Sequence, residues 1–534
     1  MSKLVHEFIL DSALARPHAE ALVHKGMRLD YAQLATQVEA AAQGALACGI
    51  AAGERIGVYL DKQIETVVAL FGAAAAGASF VPLNPLLKPE QVAHILQDCN
   101  VRILITSAER LVSLTHVLPA CRDLQTVVLV NAGSTESGDK NVRVLGWAEF
   151  ITAARTIRLQ PHRRVDGDMA AILYTSGSTG RPKGVVLSHR NLTAGAESVA
   201  QYLHNSAEDR LLSVLPLSFD YGFSQLTTAF LSGAAVVLMN YLFPRDIIAA
   251  VAQEQITGLA AVPPLWNQLA GLDWQDAGAL RYITNSGGAM QRPVLDRLRA
   301  ALPGTQVFLM YGLTEAFRST YLPPSELDRR PDSVGRAIPN AEVMVLRPDG
   351  SPCAPGETGE LVHRGVLVAQ GYWNDPERSA ERFRPWPAAT PGEPELAVWS
   401  GDRARVDEDG YLYFVGRDDD MIKVSGYRIS PQEVEEVVYA TGLVGEAVAV
   451  GVPHPQLGQA VVLIVSDTDA GIGPGASAHS SASLLKACQP HLPSYMMPAH
   501  VQQWQGSLPR TPNGKIDRKL LQRSVAAVFS GEME

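Results

Sequence analysis

Cysteine is scarce: five residues in 534, Cys48, Cys99, Cys121, Cys353 and Cys488, with no CxxC pair among them. Neither a disulfide framework nor a zinc site is suggested by that usage, and it fits a reduced cytoplasm. An excess of positive charge is also lacking. Lys+Arg number 45 against 55 Asp+Glu, a formal charge of −10, which argues against a nucleic-acid partner held by bulk electrostatics. No apolar run is long enough to span a bilayer. The most apolar stretch, Val67 to Leu87, is broken by Gly72, Gly77, Pro82 and Pro85, and a span takes about 20 apolar residues in one element. The opening MSKLVHEFILDSALARPHAEA carries Asp, Glu and His inside what would be a signal peptide's apolar region, so it reads as an amphipathic helix.

What is present is an ordinary globular composition, 46% hydrophobic and 19% charged, over a length that alone suggests roughly three or four domains. Helix-like and strand-like patterns alternate. Ile64–Ala76 reads as a buried Ala-rich helix followed by a strand from Ser79. Arg55–Leu60, Arg102–Ile105, Thr126–Val130, Ala170–Tyr174, Leu211–Leu215, Ala235–Leu238 and Leu259–Val262 read as strands, with helices at Glu39–Ala47 and Leu192–Tyr202. Such interleaving predicts an α/β fold with a mostly parallel sheet. From Glu342 to Val415 short strands between Gly, Pro and Asp turns predict a β-rich subdomain. Beyond Arg417 the pattern becomes α+β. A helix over Pro431–Thr441 has Ser430 as N-cap and Pro431 at its first position, and two strands, a Gly/Ser/Ala-rich linker and a last helix follow.

Chemistry concentrates in Tyr174-Thr-Ser-Gly-Ser-Thr-Gly-Arg-Pro-Lys-Gly-Val185. Hydroxyl donors, three glycines and Lys183 within twelve residues suit a phosphate-binding loop, because glycine lets backbone approach phosphate oxygens. The stretch is expected to follow a strand and precede a helix. It is neither a Walker A sequence nor G-x-G-x-x-G.

This stretch closely resembles the phosphate loop of the adenylate-forming superfamily, which includes acyl-CoA synthetases, peptide-synthetase adenylation domains and firefly luciferases. Tyr311-Gly-Leu-Thr-Glu-Ala316, Ser400-Gly-Asp-Arg403, Gly416-Arg-Asp-Asp-Asp-Met-Ile-Lys-Val-Ser-Gly-Tyr-Arg-Ile429 and Pro509-Arg-Thr-Pro-Asn-Gly-Lys-Ile-Asp517 resemble its further signatures, in the superfamily's order. The wording around Phe219–Tyr221, Ile283–Met290 and Tyr311–Leu322 most resembles bacterial acyl-CoA ligases associated with exosortase (protein-sorting) systems.

The resemblance implies two half-reactions. A carboxylate attacks the α-phosphate of MgATP to give an acyl-adenylate and pyrophosphate. A thiol, from CoA or from the phosphopantetheine of a separate acyl carrier protein, then expels AMP. By similarity Thr175, Ser176, Gly177, Ser178, Thr179, Gly180 and Lys183 hold the β- and γ-phosphates. Glu315 holds Mg²⁺ and Thr314 the α-phosphate. Tyr311 stacks on adenine opposite Gly287, Gly288 and Ala289. Asp402 accepts the ribose hydroxyls, assisted by Arg417. Lys515 bridges the substrate carboxylate and the α-phosphate, and Ser425-Gly426 lines the pantetheine tunnel. Asp419 is the hinge. The implied architecture is a large N-terminal domain over 1–416, with the β-rich subdomain at about 340–416, a hinge at 417–420, and a small mobile α+β cap over 421–534. The chain ends soon after Asp517, so a stand-alone ligase is expected, with no nucleic-acid partner.

The acid pocket is expected to include Phe219, Asp220, Tyr221, Ser286, Gly287 and Arg318. Phe-Asp followed by small residues resembles the amino-acid-activating members, in which the Asp pairs with the substrate's ammonium. Two other readings stand beside this one. Asp220 could cap a helix beginning at Tyr221, and Arg318 could either neutralise Asp220 or meet a second substrate carboxylate. An amine-free acid therefore stays open, as do a strictly carrier-directed amino-acid adenylation enzyme and a luciferase-like oxidase.

Overall fold

The computed structural model describes residues 3–132, 142–153, 158–175, 182–290, 292–386, 395–417, 421–466, 480–509 and 516–530, with Arg417 described by its backbone alone. Two large sheets carry the first two thirds of the chain. The seven-stranded sheet runs in the order Arg143–Gly146, Thr126–Val130, Val101–Ser107, Arg55–Tyr59, Ser79–Pro82, Met169–Thr175, Lys183–Ser188. All its neighbours are parallel except the last pair. The nine-stranded sheet is parallel from Gln306–Tyr311 across to Glu20–His24, with antiparallel strands added at both edges. Parallel neighbours need crossovers, and helices supply them. The α/β expectation is met.

The helix Ile64–Ala76 shows why its sequence is apolar all round: nearly every residue is buried. Phe71 stacks on Phe223 at 5.8 Å and meets Phe230 edge-on at 5.3 Å, so this helix and the helix Asp220–Ser232 share one core.

Two smaller sheets follow. One is antiparallel: Ala341–Leu346, Gly359–Gly365 and Leu396–Val406, with Phe383–Pro385 and Leu412–Arg417 also paired to Leu396–Val406. The other holds Tyr427–Ile429, Ile422–Val424, Gly458–Ser466, Glu446–His454 and His500–Trp504, and it has its own apolar core around Val434, Val461 and Leu463. The helix Pro431–Ala440 has Ser430 at its N-cap position as expected, but the Ser430 hydroxyl makes no capping bond.

One expectation is corrected. The phosphate-loop stretch does not lead from strand into helix. Met169–Thr175 and Lys183–Ser188 pair antiparallel, with Thr175 opposite Lys183. The β-branched run Val185-Val186 extends the sheet edge. The helix His189–Leu203 starts only after Ser188, whose side chain caps it reciprocally with Asn191.

Candidate active site

One cavity joins the three sets of residues that the sequence separates. It is lined by Thr175, Ser218, Phe219, Asp220, Tyr221, Ser286, Gly287, Tyr311, Gly312, Thr314, Arg318 and Asp402, and, from the C-terminal part, by Lys423, Gly426, Tyr427 and Arg428. Strand ends deliver most of these groups. Tyr311 closes the strand Gln306–Tyr311, and Ser286 and Gly287 follow Tyr282–Asn285. This is the carboxyl edge of parallel strands, where α/β folds place ligands. Gly288 and Ala289 line an adjoining cavity with Gly426, Lys423 and Lys519. Ser176, Gly177, Ser178, Thr179, Gly180, Asp419 and Lys515, together with the side chain of Arg417, lie outside the described residues.

Lys183, Glu315 and Tyr372 form a buried triangle. Lys183 Nζ lies 3.1 Å from Glu315 Oε1 and donates to the Tyr372 hydroxyl at 2.6 Å, and that hydroxyl donates to the same carboxylate oxygen at 2.7 Å. Burial alone would raise the Glu315 carboxyl. The positive charges of Lys183, Arg428 and Arg382 outweigh it and hold the group well below the usual carboxylate range, so it stays ionised. Burial pulls the Lys183 ammonium down, partly offset by Glu315. Glu315 Oε2 is buried with no hydrogen-bond partner among the described residues. An ionised, unsatisfied carboxylate oxygen is a hard donor of the kind Mg²⁺ takes, so the residues present fit that ion. Tyr372 and Arg382 were missed in the sequence, and Arg428, inside the signature segment ending at Ile429, was given no role there. Gly371-Tyr372 carries no pattern beyond a glycine, and Arg382 looks like a surface charge.

Tyr311 donates its hydroxyl to Asp402. The Tyr311 ring lies nearly parallel to His363 at 5.9 Å. Burial lowers the His363 imidazole to about 3, so it remains a neutral plate behind the tyrosine. The backbone N–H of Asp402 donates to the Ser400 hydroxyl at 3.1 Å. A carboxylate and an aromatic face are thus held edge to edge, the arrangement a nucleoside needs for its ribose and base.

The end of the cavity at Arg318 rests on strained backbone. Phe317 is fully buried at φ 52°, ψ −42°, a backbone that costs a non-glycine residue of order 1–3 kcal/mol. It follows the short 3₁₀ turn Thr314–Ala316 and turns the chain so that Arg318 lines the cavity. Gly195 makes this possible: a Cβ there would lie 2.5 Å from the Phe317 ring. The Arg318 guanidinium sits over the Tyr221 ring at 4.6 Å, and the Tyr221 hydroxyl is bonded to Thr284 Oγ1 at 2.6 Å. Asp220 is not the N-cap. That position belongs to Phe219, and Asp220 opens the helix Asp220–Ser232. Its carboxyl is raised by burial and lowered by Arg318. Arg318 Nη1 stands 3.9 Å from Asp220 Oδ2, an ion-pair distance beyond hydrogen-bond reach.

The C-terminal part closes this cavity. Tyr427 meets Phe219 edge-on at 4.9 Å. Gly426, at φ +87°, lies so near Val262 that a Cβ would be 2.9 Å from its Cγ1. Only glycine combines that backbone with that closeness.

The family described as AMP-binding enzyme matches residues 10–373, and the AMP-binding enzyme C-terminal domain matches 433–515. A linear gramicidin synthase of Brevibacillus parabrevis is 33% identical over 529 residues; the match takes in 97% of this chain but only 6% of that synthase. Feruloyl-CoA synthase of Amycolatopsis sp is 32% identical over 94% of both chains. The solved structure of VinN with L-aspartate is 31% identical, with a TM-score of 0.66 over 78% of this chain and 99% of that one. The chain belongs to the AMP-binding enzyme family, the adenylate-forming superfamily whose signatures its sequence carries.

Proposed function

We propose that the chain is an ATP-dependent, AMP-forming acid–thiol ligase that activates the carboxyl group of an amine-bearing acid. The carrying observation is that a nucleoside-shaped pair, Tyr311 and Asp402, shares one cavity with Asp220 and Arg318. A carboxylate bound near Asp220 would approach the α-phosphate at Thr314. Glu315 would hold Mg²⁺, which neutralises phosphate charge when bound. The protein's share is positioning and electrostatics: Lys183 and the loop after Thr175 hold the phosphates, and Lys515 meets the reacting oxygens. The body to residue 416 and the cap from 421 would alternate about Asp419 between the half-reactions.

Asp220 supports the amine. A buried carboxylate near an imperfect partner gains from a substrate ammonium. VinN, solved with L-aspartate, is consistent with this reading. The acceptor thiol would be CoA or the phosphopantetheine of a separate carrier protein, reached through the cavity lined by Gly288, Gly426 and Lys519. We place the reaction in the cytoplasm; no helix among the described residues is long and apolar enough to cross a membrane. ATP–pyrophosphate exchange across a panel of amino acids and amine-free acids tests the reading. Acid-dependent AMP release upholds it. ADP release, or exchange with amine-free acids alone, defeats it. The feruloyl-CoA synthase match favours a second reading, an amine-free aryl acid transferred to CoA.

A further inference from the structure

Arg318 is buried, with a relative exposure of 3%. Nε and Nη2 have no hydrogen-bond partner among the described residues, and Nη1 reaches only Asp220 at 3.9 Å. Its guanidinium also lies over the Tyr221 ring face. A buried guanidinium is costly where its N–H groups lose water and gain no hydrogen bond, as the three on Nε and Nη2 do among the described residues. Asp220 offsets that cost only through space. Its carboxylate lies beyond hydrogen-bond distance, so the two charges stand side by side in the cavity wall, each incompletely matched. Strained backbone at Phe317 holds Arg318 in this place, a strain the fold would not carry for a spare surface charge.

We infer that the substrate carries a second carboxylate, which Arg318 binds as a planar fork, beside the ammonium bound by Asp220. This rests on the amine-bearing reading above and narrows it to dicarboxylic amino acids. The ammonium and carboxylate on one carbon would face Asp220 and Arg318 together. The carboxyl that is adenylated is then the other one, on the side chain. Guanidinium and carboxylate match in shape as well as charge, which an ammonium in place of Arg318 would not reproduce.

The test is ATP–pyrophosphate exchange by the full chain with L-aspartate and L-glutamate. Each is set against its analogue without the α-carboxylate (β-alanine and 4-aminobutanoate), against L-alanine and against succinate. At least one dicarboxylic amino acid should exceed its decarboxylated analogue in kcat/KM by on the order of 10- to 100-fold, the worth of hydrogen bonds to a charged group. Arg318→Gln should remove that preference mainly through KM, and Arg318→Lys should restore it only in part. A thermal melt of each variant separates loss of fold from loss of binding. Exchange with β-alanine, 4-aminobutanoate or L-alanine but with neither dicarboxylic acid overturns the inference and leaves the amine-bearing reading intact. Exchange with succinate alone overturns both. Silence of both dicarboxylic amino acids overturns the inference whatever else is turned over.

Discussion

Gln91, in the helix Pro89–Asp98, donates a 2.8 Å hydrogen bond to Glu433, in the helix Pro431–Ala440. This bond joins the body to the C-terminal part. Burial pushes the Glu433 carboxyl up to about 7, Gln91 opposes and the neighbouring Glu436 adds to the rise. Glu433 Oε2 has no partner among the described residues.

This contact should make docking of the two parts pH-dependent. The docked carboxyl binds its proton more tightly than the free one, whose ordinary value is 4.5. Its contribution is therefore complete below about 4.5 and lost as pH rises through about 7, amounting to at most about 3 kcal/mol. Fluorescence transfer between labels on the two helices should fall over that window, and Glu433→Gln should flatten the profile. A wild-type profile without a step between pH 5 and 8 contradicts this.

Lys515→Ala is expected to abolish adenylate formation by at least about 100-fold while sparing thioester formation from a supplied acyl-adenylate. Single-turnover assays of each half-reaction check it. Equal loss of both refutes the division of labour.

Glu315→Gln removes the negative charge that balances Lys183 and takes away a hard oxygen donor. Pyrophosphate exchange should drop by on the order of 100-fold, and the magnesium concentration giving half-maximal exchange should rise. An unchanged magnesium requirement would show that Glu315 serves only Lys183 and Tyr372.

Asp402→Ala should raise the KM for ATP by on the order of 10- to 100-fold and erase discrimination against 2′-deoxy-ATP. Tyr311→Phe keeps the ring stacked near His363 but removes the hydroxyl from Asp402, so a smaller effect in the same direction is expected. Competition between the two nucleotides gives the measurement.

Gly195→Ala puts a methyl group 2.5 Å from the Phe317 ring. Overpacking of this kind costs about 1–3 kcal/mol. Because Arg318 is the next residue, the KM for the acid should rise along with the loss in melting temperature. Stability lost with substrate KM unchanged would mean that Phe317 does not set the place of Arg318.

Local pattern alone determined much of this protein. Thr126–Val130, Ala235–Leu238 and Ile64–Ala76 lie where their apolar patterns put them, because a short apolar run bounded by turns, or an Ala-rich stretch ended by Gly77, leaves the backbone few alternatives. The signature segments likewise announced the nucleotide chemistry, since their donor types are carried by contiguous residues. Tertiary structure alone decided three things. The strand Lys183–Ser188 turns back on Met169–Thr175, which depends on a free sheet edge rather than on local propensity. Tyr372 and Lys183 converge on Glu315 because separate strands and loops end at one place. Arg318 stands beside Asp220 without bonding it, because Phe317 and Gly195 set a position that no spacing in the chain encodes.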